Sequence, residues 1–345
     1  MTMTEAEKAG GEHRDDKPVK VSIVVPAFCE EEVLPKSLSV LTMLLHRCIE
    51  ENLATADSEI VLVDDGSVDR TWDIIVEAHA AAPHTVHGVR LSANCGHQNA
   101  LIAGLEAAKG DFVISIDADL QDDAAVMRDM ILEARAGIDI VYGVRKSRPT
   151  DTFFKRVTAE GFYKFMAFLG VDLVFNHADF RGMSRRAVNS LLRYRERSLF
   201  LRGLVRQLGF KTATVYYDRT ERKAGVSKYP LGKMLAFAVH GITSFSFVPL
   251  RMVTLLSLVL FGLSIGLVVW ILVIKYFTES AVPGWASTLF IQSVFGGIQL
   301  LCLGVIGEYL AVIFTEVKAR PRFHVEETTD PGTRAQGSRS QSPSA

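Results

Sequence analysis

The sequence of 345 residues has few cysteines and none of the glycine-rich loops that commonly bind phosphate groups. Its four cysteines show no paired metal-ligand spacing, so the sequence predicts neither a zinc site nor a disulfide framework, and a reducing compartment fits. Neither Gly-x-x-x-x-Gly-Lys-Ser/Thr nor Gly-x-Gly-x-x-Gly occurs, which excludes these two phosphate-binding loops. A bound phosphate group would therefore have to be held by basic side chains or by a metal ion.

The first 20 residues lack the apolar stretch that follows a basic start in a secretory signal peptide. We therefore expect residues 1–19 to form a disordered tail and the domain that follows to stay in the cytosol. The formal net charge is only −1, and we expect no nucleic acid partner.

Two long apolar runs, Met252–Ile274 and Leu289–Phe314, lie near the C-terminus of a chain that is 48% hydrophobic. Each exceeds the roughly 20 residues that a helix needs to cross a bilayer. We predict transmembrane helices at residues 251–275 and 288–316; a buried hairpin of a soluble protein is the alternative.

Basic residues flank the two predicted helices, and the loop 276–287 between them has none. By the positive-inside rule, both termini and the domain of residues 20–230 lie in the cytosol, so we expect a multi-pass protein of the cytoplasmic membrane. Residues 231–250 mix apolar and charged side chains and are interpreted as an interfacial helix that contacts membrane lipid. Residues 317–345 are expected to form a cytosolic tail that is largely disordered, since the segment after Glu326 is rich in small polar residues. Four glycines in the second helix permit close helix contact and lead us to expect a homo-oligomer: Gly296, Gly297, Gly304 and Gly307.

Short β-branched runs alternate with helical stretches in residues 20–230, and this alternation predicts a doubly wound α/β sheet. The predicted strands are Val21–Val25 (closed by Pro26), Glu59–Val63, Phe112–Ile116 and Ile138–Tyr142. The predicted helices include Ser67–Ala81, with Ser67 as N-cap, and Gln98–Lys109, ended by Gly110. In such a sheet, ligands bind beyond the carboxyl ends of the strands.

Acidic side chains follow three of the predicted strands, as Glu30–Glu32, Asp64–Asp65 and Asp117–Asp119. Residues two apart in an extended stretch point to the same side, so Asp117 and Asp119 can face one ligand together. Hard cations such as Mg²⁺ or Mn²⁺ take oxygen ligands and share them with phosphates. The sequence therefore predicts a divalent-metal site after the third strand, although a surface turn is the alternative for an isolated Asp-x-Asp.

Three motifs resemble the signatures of family 2 glycosyltransferases of the GT-A fold. They are VVPAFCEE at residues 24–31, DDGSVDRT at residues 64–71 and DADLQD at residues 117–122. More narrowly, the pattern is similar to the polyprenyl-phosphate hexosyltransferases, the group that includes dolichol-phosphate mannose synthase and bacterial undecaprenyl-phosphate glucosyltransferases. The resemblance covers residues 21–322 and implies a mixed doubly wound sheet, then an interfacial segment and two C-terminal transmembrane helices. One departure is Cys29, where the family usually has Asn.

The resemblance implies a binding site for a nucleotide and a metal ion. Pro26, Phe28 and Glu30 would shape the base pocket, and Asp64 or Asp65 would contact the base or the ribose. Asp119 and Gln121 would hold Mg²⁺ or Mn²⁺, and Asp117 would hold the metal or the ribose.

The resemblance also implies one acid and several basic residues around the diphosphate, the sugar and the acceptor phosphate. They are Asp179, Arg145, Arg181, Arg202 and Lys228. Asp179 is expected to orient the acceptor or the sugar, and a solvated surface position is the alternative for each arginine. His97 and His177 are interpreted as histidines of a helix start or of the core.

The implied reaction transfers a hexose from a nucleotide sugar to the phosphate of a polyprenyl carrier, with inversion at the anomeric carbon. UDP-glucose is the first choice of donor, with GDP-mannose or another UDP-hexose as the alternative. A processive polysaccharide synthase is a second hypothesis, but the chain lacks Gln-x-x-Arg-Trp, and none of its three tryptophans follows an arginine. A third hypothesis is a non-catalytic membrane subunit that binds nucleotide sugar, and the intact acids at three strand ends argue against it.

Overall fold

A computed structural model of the chain describes residues 17–145, 177–197, 201–217, 248–277 and 285–330. The chain divides into two compact units. One unit comprises Met1–Asp151, Val174–Ser227 and Arg320–Ala345, and the other comprises Thr152–Leu173 and Lys228–Ala319.

The first unit is built on a mixed β-sheet of eight strands within the described residues. The strands are β1 (Val21–Ala27), β2 (Glu59–Asp64), β3 (Val86–Leu91), β4 (Phe112–Ser115), β5 (Ile140–Arg145), β6 (His177–Ser184), β7 (Thr212–Tyr217) and β8 (Val325–Thr328). Their order across the sheet is β7-β5-β6-β4-β1-β2-β3-β8. The central strands β4, β1, β2 and β3 are parallel, whereas β6 runs antiparallel to both β4 and β5, and β8 antiparallel to β3.

Helices of this unit cover both faces of the sheet. They are α1 (Leu34–Glu50), α2 (Thr71–Ala81), α3 (His97–Ala107), α4 (Met127–Arg135), α5 (Arg185–Leu192) and α6 (Leu201–Gln207). All seven residues of β1 are buried, which requires cover on two sides because successive side chains alternate between the faces. Ile23 packs in one core cluster with Leu41 of α1, whereas a Cβ on Gly104 of α3 would lie 2.3 Å from Cγ1 of Val24. The predicted α/β class is therefore confirmed.

The first strand differs from its predicted end. It continues through Pro26 to Ala27, which pairs with Asp64 of β2. The Val24 carbonyl accepts a hydrogen bond from the Ile116 N–H on the β4 side, so the nitrogen of Pro26, two residues on, faces that side too. Since β4 ends at Ser115, opposite Val24, the missing N–H of proline loses no sheet hydrogen bond there.

Two helix boundaries also differ from the predicted ones. Ser67 is not a helix N-cap, because α2 begins at Thr71, and the Ser67 hydroxyl instead accepts a hydrogen bond from the Cys29 N–H at 2.9 Å. Helix α3 ends at Ala107 rather than at Lys109. Gly110 serves a different purpose, since a Cβ there would lie 2.6 Å from the backbone nitrogen of Ser22.

Part of the C-terminal tail is ordered, which corrects the expectation for residues 317–345. Residues 325–328 form β8 at the edge of the sheet beside β3. Side chains anchor the segment, because Trp72 donates to Glu327 at 3.1 Å and Thr329 accepts from the Gly88 N–H at 2.7 Å. At the other end, Val19 forms a β-bridge with Ala54, so order begins within the predicted N-terminal tail.

The second unit contains two long helices, α7 (Val248–Phe277) and α8 (Trp285–Val317). Among the described residues, one segment is long and apolar enough to cross a membrane, Val294–Val317 in α8, with a mean hydropathy of 1.9. The apolar stretch in α7, Leu250–Leu260, is shorter. The prediction of two transmembrane helices thus stays a prediction, and residues 231–247 of the proposed interfacial helix lie outside the described residues.

Candidate active site

The three acidic segments lie at one edge of the sheet, as the sequence predicts. Strands β4, β1 and β2 are neighbours and run parallel, so their carboxyl ends point the same way. Glu30–Glu32 follow β1, Asp65 follows β2, and Asp117–Asp119 follow β4. This edge is the usual ligand-binding position of a doubly wound sheet.

Asp117–Ala118–Asp119 forms a turn, and the prediction of an extended segment is wrong. The Leu120 N–H donates to the Asp117 carbonyl at 3.2 Å, and Leu120 has a φ of +43°. The two carboxylates are still close enough for Asp119 to act on the pKa of Asp117. A turn therefore sets the arrangement of these two residues, and strand alternation does not.

Asp117 lies among other acids. Its side chain keeps 43% of its surface accessible, yet surrounding protein atoms displace much of its hydration, which is the main cause that raises its pKa. Nearby Asp179, Asp119 and Asp122 raise the pKa further, and His97 opposes them. Such a group of carboxylates favours a cation among them.

Asp119 and Gln121 contact each other directly. The Gln121 side-chain amide donates to one carboxylate oxygen of Asp119 at 2.5 Å, and its backbone N–H donates to the other at 3.2 Å. Within the described ranges, no three or more His, Cys, Asp or Glu side chains are grouped as a metal site. The carboxylates of Asp117 and Asp119 and the amide of Gln121 nevertheless all carry oxygen atoms that can bind a metal ion. They fit a hard cation that is also bound by phosphate oxygens and water.

Asp179 reaches this edge from β6. Antiparallel pairing of Ser115 with Arg181 places Asp179 opposite the chain that leaves β4 toward Asp117. The Ser115 hydroxyl donates to the Asp179 carbonyl at 2.7 Å and fixes the backbone there.

Arg181 lies in the protein interior, and this excludes the alternative of a solvated surface arginine. Its side chain is 1% exposed, and its guanidinium donates to Asp179 at 2.5 Å and to the Leu201 carbonyl at 3.4 Å. The buried guanidinium thus contacts Asp179 directly, and the catalytic role that the resemblance implies for Arg181 stays a prediction. Arg145 ends β5 and Arg202 lies in α6, but their side chains, like all of Lys228, lie outside the described residues.

Asp64 and Asp65, expected near the base or the ribose, are both engaged inside the protein. Asp64 is 0% exposed; one carboxylate oxygen accepts from the Ser67 N–H at 3.0 Å, and the other lies 3.6 Å from Nε of Arg90. Asp65 is 2% exposed and accepts from the N–H groups of Cys95 and Gly96, at 2.7 and 2.9 Å. Burial raises the pKa of Asp65, although these two hydrogen bonds act against it.

The residues expected around the base lie at the end of β1 and directly after it. Pro26 is buried within the strand, while the Phe28 ring is 45% exposed beside it. Cys29 has a φ of +54°, a left-handed conformation that asparagine adopts more readily than most residues. The Glu30 N–H donates to the Thr71 hydroxyl at 2.9 Å, which joins this loop to the start of α2.

His97 is a site residue that the sequence interpretation missed. It does begin α3, as expected of a helix-start histidine. Its Nε2, however, lies 3.4 Å from Asp117 and 3.8 Å from Asp179, and its side chain is 42% exposed. Only the pairing of strands distant in sequence brings these groups together. The side chain of His177 lies outside the described residues.

Comparison with known proteins identifies the class. Residues 22–192 match the family described as Glycosyl transferase family 2. The uncharacterized glycosyltransferase YkoT of Bacillus subtilis (strain 168) is 51% identical over 315 residues, which cover 91% of this chain and 93% of that protein. The chain is a glycosyltransferase and belongs to family 2.

A narrower group follows from further relatives. The bactoprenol glucosyl transferase of Shigella phage SfX is 38% identical over 311 residues, covering 89% of this chain and 99% of that protein. Another bactoprenol glucosyl transferase, from the SfII prophage of Shigella flexneri, is 38% identical over 313 residues, covering 90% of this chain and 98% of that protein. Within family 2, the chain is therefore of the polyprenyl-phosphate glucosyltransferase group, and its mixed α/β sheet fits the GT-A fold.

Proposed function

We propose that this glycosyltransferase moves glucose from UDP-glucose to the phosphate of a polyprenyl carrier such as undecaprenyl phosphate, with inversion at the anomeric carbon. The observation that carries the proposal is the convergence of Asp117, Asp119 and Asp179 at the carboxyl edge of the sheet. The near full-length similarity to bactoprenol glucosyl transferases supports the choice of glucose and of the lipid phosphate.

A divalent cation, Mg²⁺ or Mn²⁺, is proposed as the cofactor. Asp117, Asp119 and Gln121 would hold it, because their oxygens suit a hard cation and because Asp117 lies among like charges. When bound, such an ion neutralises negative charge on the leaving diphosphate. The exposed Phe28 ring, next to Pro26 and Glu30, offers an apolar surface for the base.

The reaction needs no strong base in the protein. An oxygen of the acceptor phosphate forms the new bond to the anomeric carbon, the bond from that carbon to the diphosphate oxygen breaks, and UDP leaves with the electron pair. A phosphate monoester has its second pKa near about 6, so the acceptor is largely a dianion in the cytosol. The protein must therefore bring two anions together and orient them. We assign the orientation of sugar or acceptor to Asp179, and the attraction of the phosphates to Arg145, Arg202 and Lys228.

The acceptor is proposed to arrive from the bilayer. The apolar segment Val294–Val317 supports a membrane-bound chain. We propose that α7 and α8 both span the cytoplasmic membrane, that the sheet unit and both termini are cytosolic, and that glycines in α8 permit homo-oligomers. The product would be a lipid-linked sugar used in cell wall or surface glycan synthesis.

A donor screen tests this proposal. The full-length chain in detergent is supplied with undecaprenyl phosphate, Mg²⁺ or Mn²⁺, and radiolabelled UDP-glucose, UDP-galactose, UDP-N-acetylglucosamine or GDP-mannose in turn. We expect the highest yield of organic-extractable label from UDP-glucose. Asp119→Asn should lower it sharply at low metal concentration, whereas Asp73→Asn, the same change at an exposed position of α2, should not. A higher yield from GDP-mannose would overturn the proposal of UDP-glucose as donor. If no donor gives extractable label, the proposal of a polyprenyl phosphate acceptor is overturned.

A further inference from the structure

The loop between β3 and α3 is fixed by a side chain of another strand end. Asp65, directly after β2, accepts the N–H of Cys95 with one carboxylate oxygen and the N–H of Gly96 with the other, at 2.7 and 2.9 Å. The loop is held from its other side by Asn99, which donates to the Cys95 carbonyl at 2.7 Å. Gly96 has a φ of +89°, which few residues other than glycine adopt. The backbone that leads into α3 therefore has little freedom.

The next residue after this fixed segment is His97. Its Nε2 lies between the carboxylates of Asp117 and Asp179, at 3.4 and 3.8 Å. These acids belong to different strands, one following β4 and the other in β6, and as like charges they repel each other. A ring nitrogen that lies near both carboxylates can bridge the two.

We infer that Asp65 is a positioning residue that acts through His97. Its carboxylate fixes residues 95–96, and His97 in turn holds Asp117 and Asp179 at the separation that the transfer reaction uses. The inference rests on the proposed function only in taking these two acids as active-site groups. This task is additional to the base or ribose contact that family resemblance implies for Asp64 or Asp65.

The burial of Asp65 supports this assignment. Only 2% of the residue is exposed, and both of its oxygens already accept backbone hydrogen bonds. An asparagine there would keep one acceptor oxygen, but its amide N–H₂ would face a backbone N–H, which is donor against donor. Asp65→Asn should thus release one end of the loop without changing its size.

The side chain of His97 allows a matched pair of variants. His97→Gln places an amide N–H₂ near the position of Nε2 and keeps a donor for the two acids, whereas His97→Leu fills similar space without any donor. If His97 merely packs, the two variants behave alike. If it holds the acids, Gln restores activity that Leu loses.

The experiment compares five full-length proteins in the transfer assay: wild type, Asp65→Asn, His97→Gln, His97→Leu and the double variant Asp65→Asn/His97→Leu. We expect Asp65→Asn and His97→Leu each to lower turnover by about 10- to 100-fold, the range found for groups that orient ligating side chains. His97→Gln should recover most of the loss. The double variant should be no slower than the slower single variant, because residues that act as a unit are not additive. His46→Leu, at an exposed position of α1, is the control and should match the wild type.

Amide hydrogen exchange separates this inference from the proposed function. Exchange at Cys95 and Gly96 should be faster in Asp65→Asn than in the wild type, whether or not the chain makes a lipid product. If exchange at Cys95 and Gly96 is the same in Asp65→Asn and in the wild type, the Asp65 carboxylate does not fix this loop. Losses that multiply in the double variant, or a His97→Gln variant as slow as His97→Leu, would overturn the action through His97. Absence of lipid product from the wild type would contradict the proposed function alone.

Discussion

The buried contact between Arg181 and Asp179 gives a prediction whose size follows from the structure. The guanidinium is 1% exposed and lies 2.5 Å from a carboxylate that is itself only 16% exposed. Arg181→Met keeps most of the buried stem but removes the charge, so Asp179 loses its closest cation. Removing one partner of a fully buried ion pair costs about 3–5 kcal/mol. Because Asp179 keeps some contact with water, we expect a loss somewhat below this range, about 2–3 kcal/mol.

Thermal unfolding of the full-length protein in detergent measures this effect. For a domain of this size, 1 kcal/mol shifts the melting temperature by about 2–4 °C, so Arg181→Met should melt about 4–12 °C below the wild type. Trp72 lies in the sheet unit, so tryptophan fluorescence follows the unfolding of that unit once Trp270 and Trp285, which lie in the second unit, are replaced by phenylalanine in every protein compared. Arg195→Met, the same substitution at an exposed position, should change the melting temperature little.

A double variant tests the reason for the loss. In Asp179→Asn/Arg181→Met no carboxylate is left beside the missing guanidinium, so this protein should be more stable than Arg181→Met alone. If Arg181→Met melts at the wild-type temperature, or if the two substitutions destabilise additively, the ion pair between Arg181 and Asp179 does not stabilise the sheet unit.

Three further predictions concern the metal site, the core and the acid stability of the sheet unit. Asp119→Asn should raise the Mn²⁺ concentration for half-maximal transfer by about tenfold or more, as a metal titration would show; an unchanged midpoint would contradict its role as a ligand. Gly104→Ala places a methyl group 2.3 Å from Cγ1 of Val24 and should destabilise by about 1–3 kcal/mol; Val24→Ala in the same chain should recover part of the loss, and no recovery would count against this clash. The Arg186 guanidinium holds the pKa of Asp139 below its ordinary value, so the stability from this pair is present above about pH 4 and is lost as the pH falls further. The difference in melting temperature between wild type and Asp139→Asn should therefore shrink from about pH 6 to about pH 3, and a constant difference would contradict this linkage.

The central sheet and its acidic edge were predictable from local sequence. Strands such as β1 and β2 are buried on both faces, so they appear as continuous apolar runs. The acids that follow them need only the parallel order of β4, β1 and β2 to meet. Motif resemblance pointed to the same edge independently.

Strands at or near the sheet margin left a weaker signal. β8 has the sequence Val-Glu-Glu-Thr, which reads as a polar tail, and it pairs with β3 more than 200 residues earlier in the chain. β6 contains Asp179 and Arg181, and charged residues are unfavourable in a strand inside a sheet unless they are paired. The sequence does not show that these two side chains contact each other. Local pattern cannot supply such partners.

The orientation of site side chains was the least predictable part. The sequence indicated that Asp64 and Asp65 lie at the ligand edge, but it did not show that both are buried. Asp64 accepts from the Ser67 N–H of its own turn, and Asp65 accepts from the Cys95 N–H of a different loop. His97 stands out only once β4 and β6 are adjacent. A helix-start histidine carries no local sign of the two carboxylates it contacts.

The most direct test of the central claim is the transfer of label from UDP-glucose to two matched lipids, undecaprenyl phosphate and undecaprenol, by the full-length protein with Mn²⁺. The proposed reaction requires the acceptor phosphate as nucleophile, so labelled lipid should form with undecaprenyl phosphate alone and disappear when the metal is chelated. Equal labelling of undecaprenol, or label found only in a water-soluble or polymeric product, would contradict transfer to a polyprenyl phosphate.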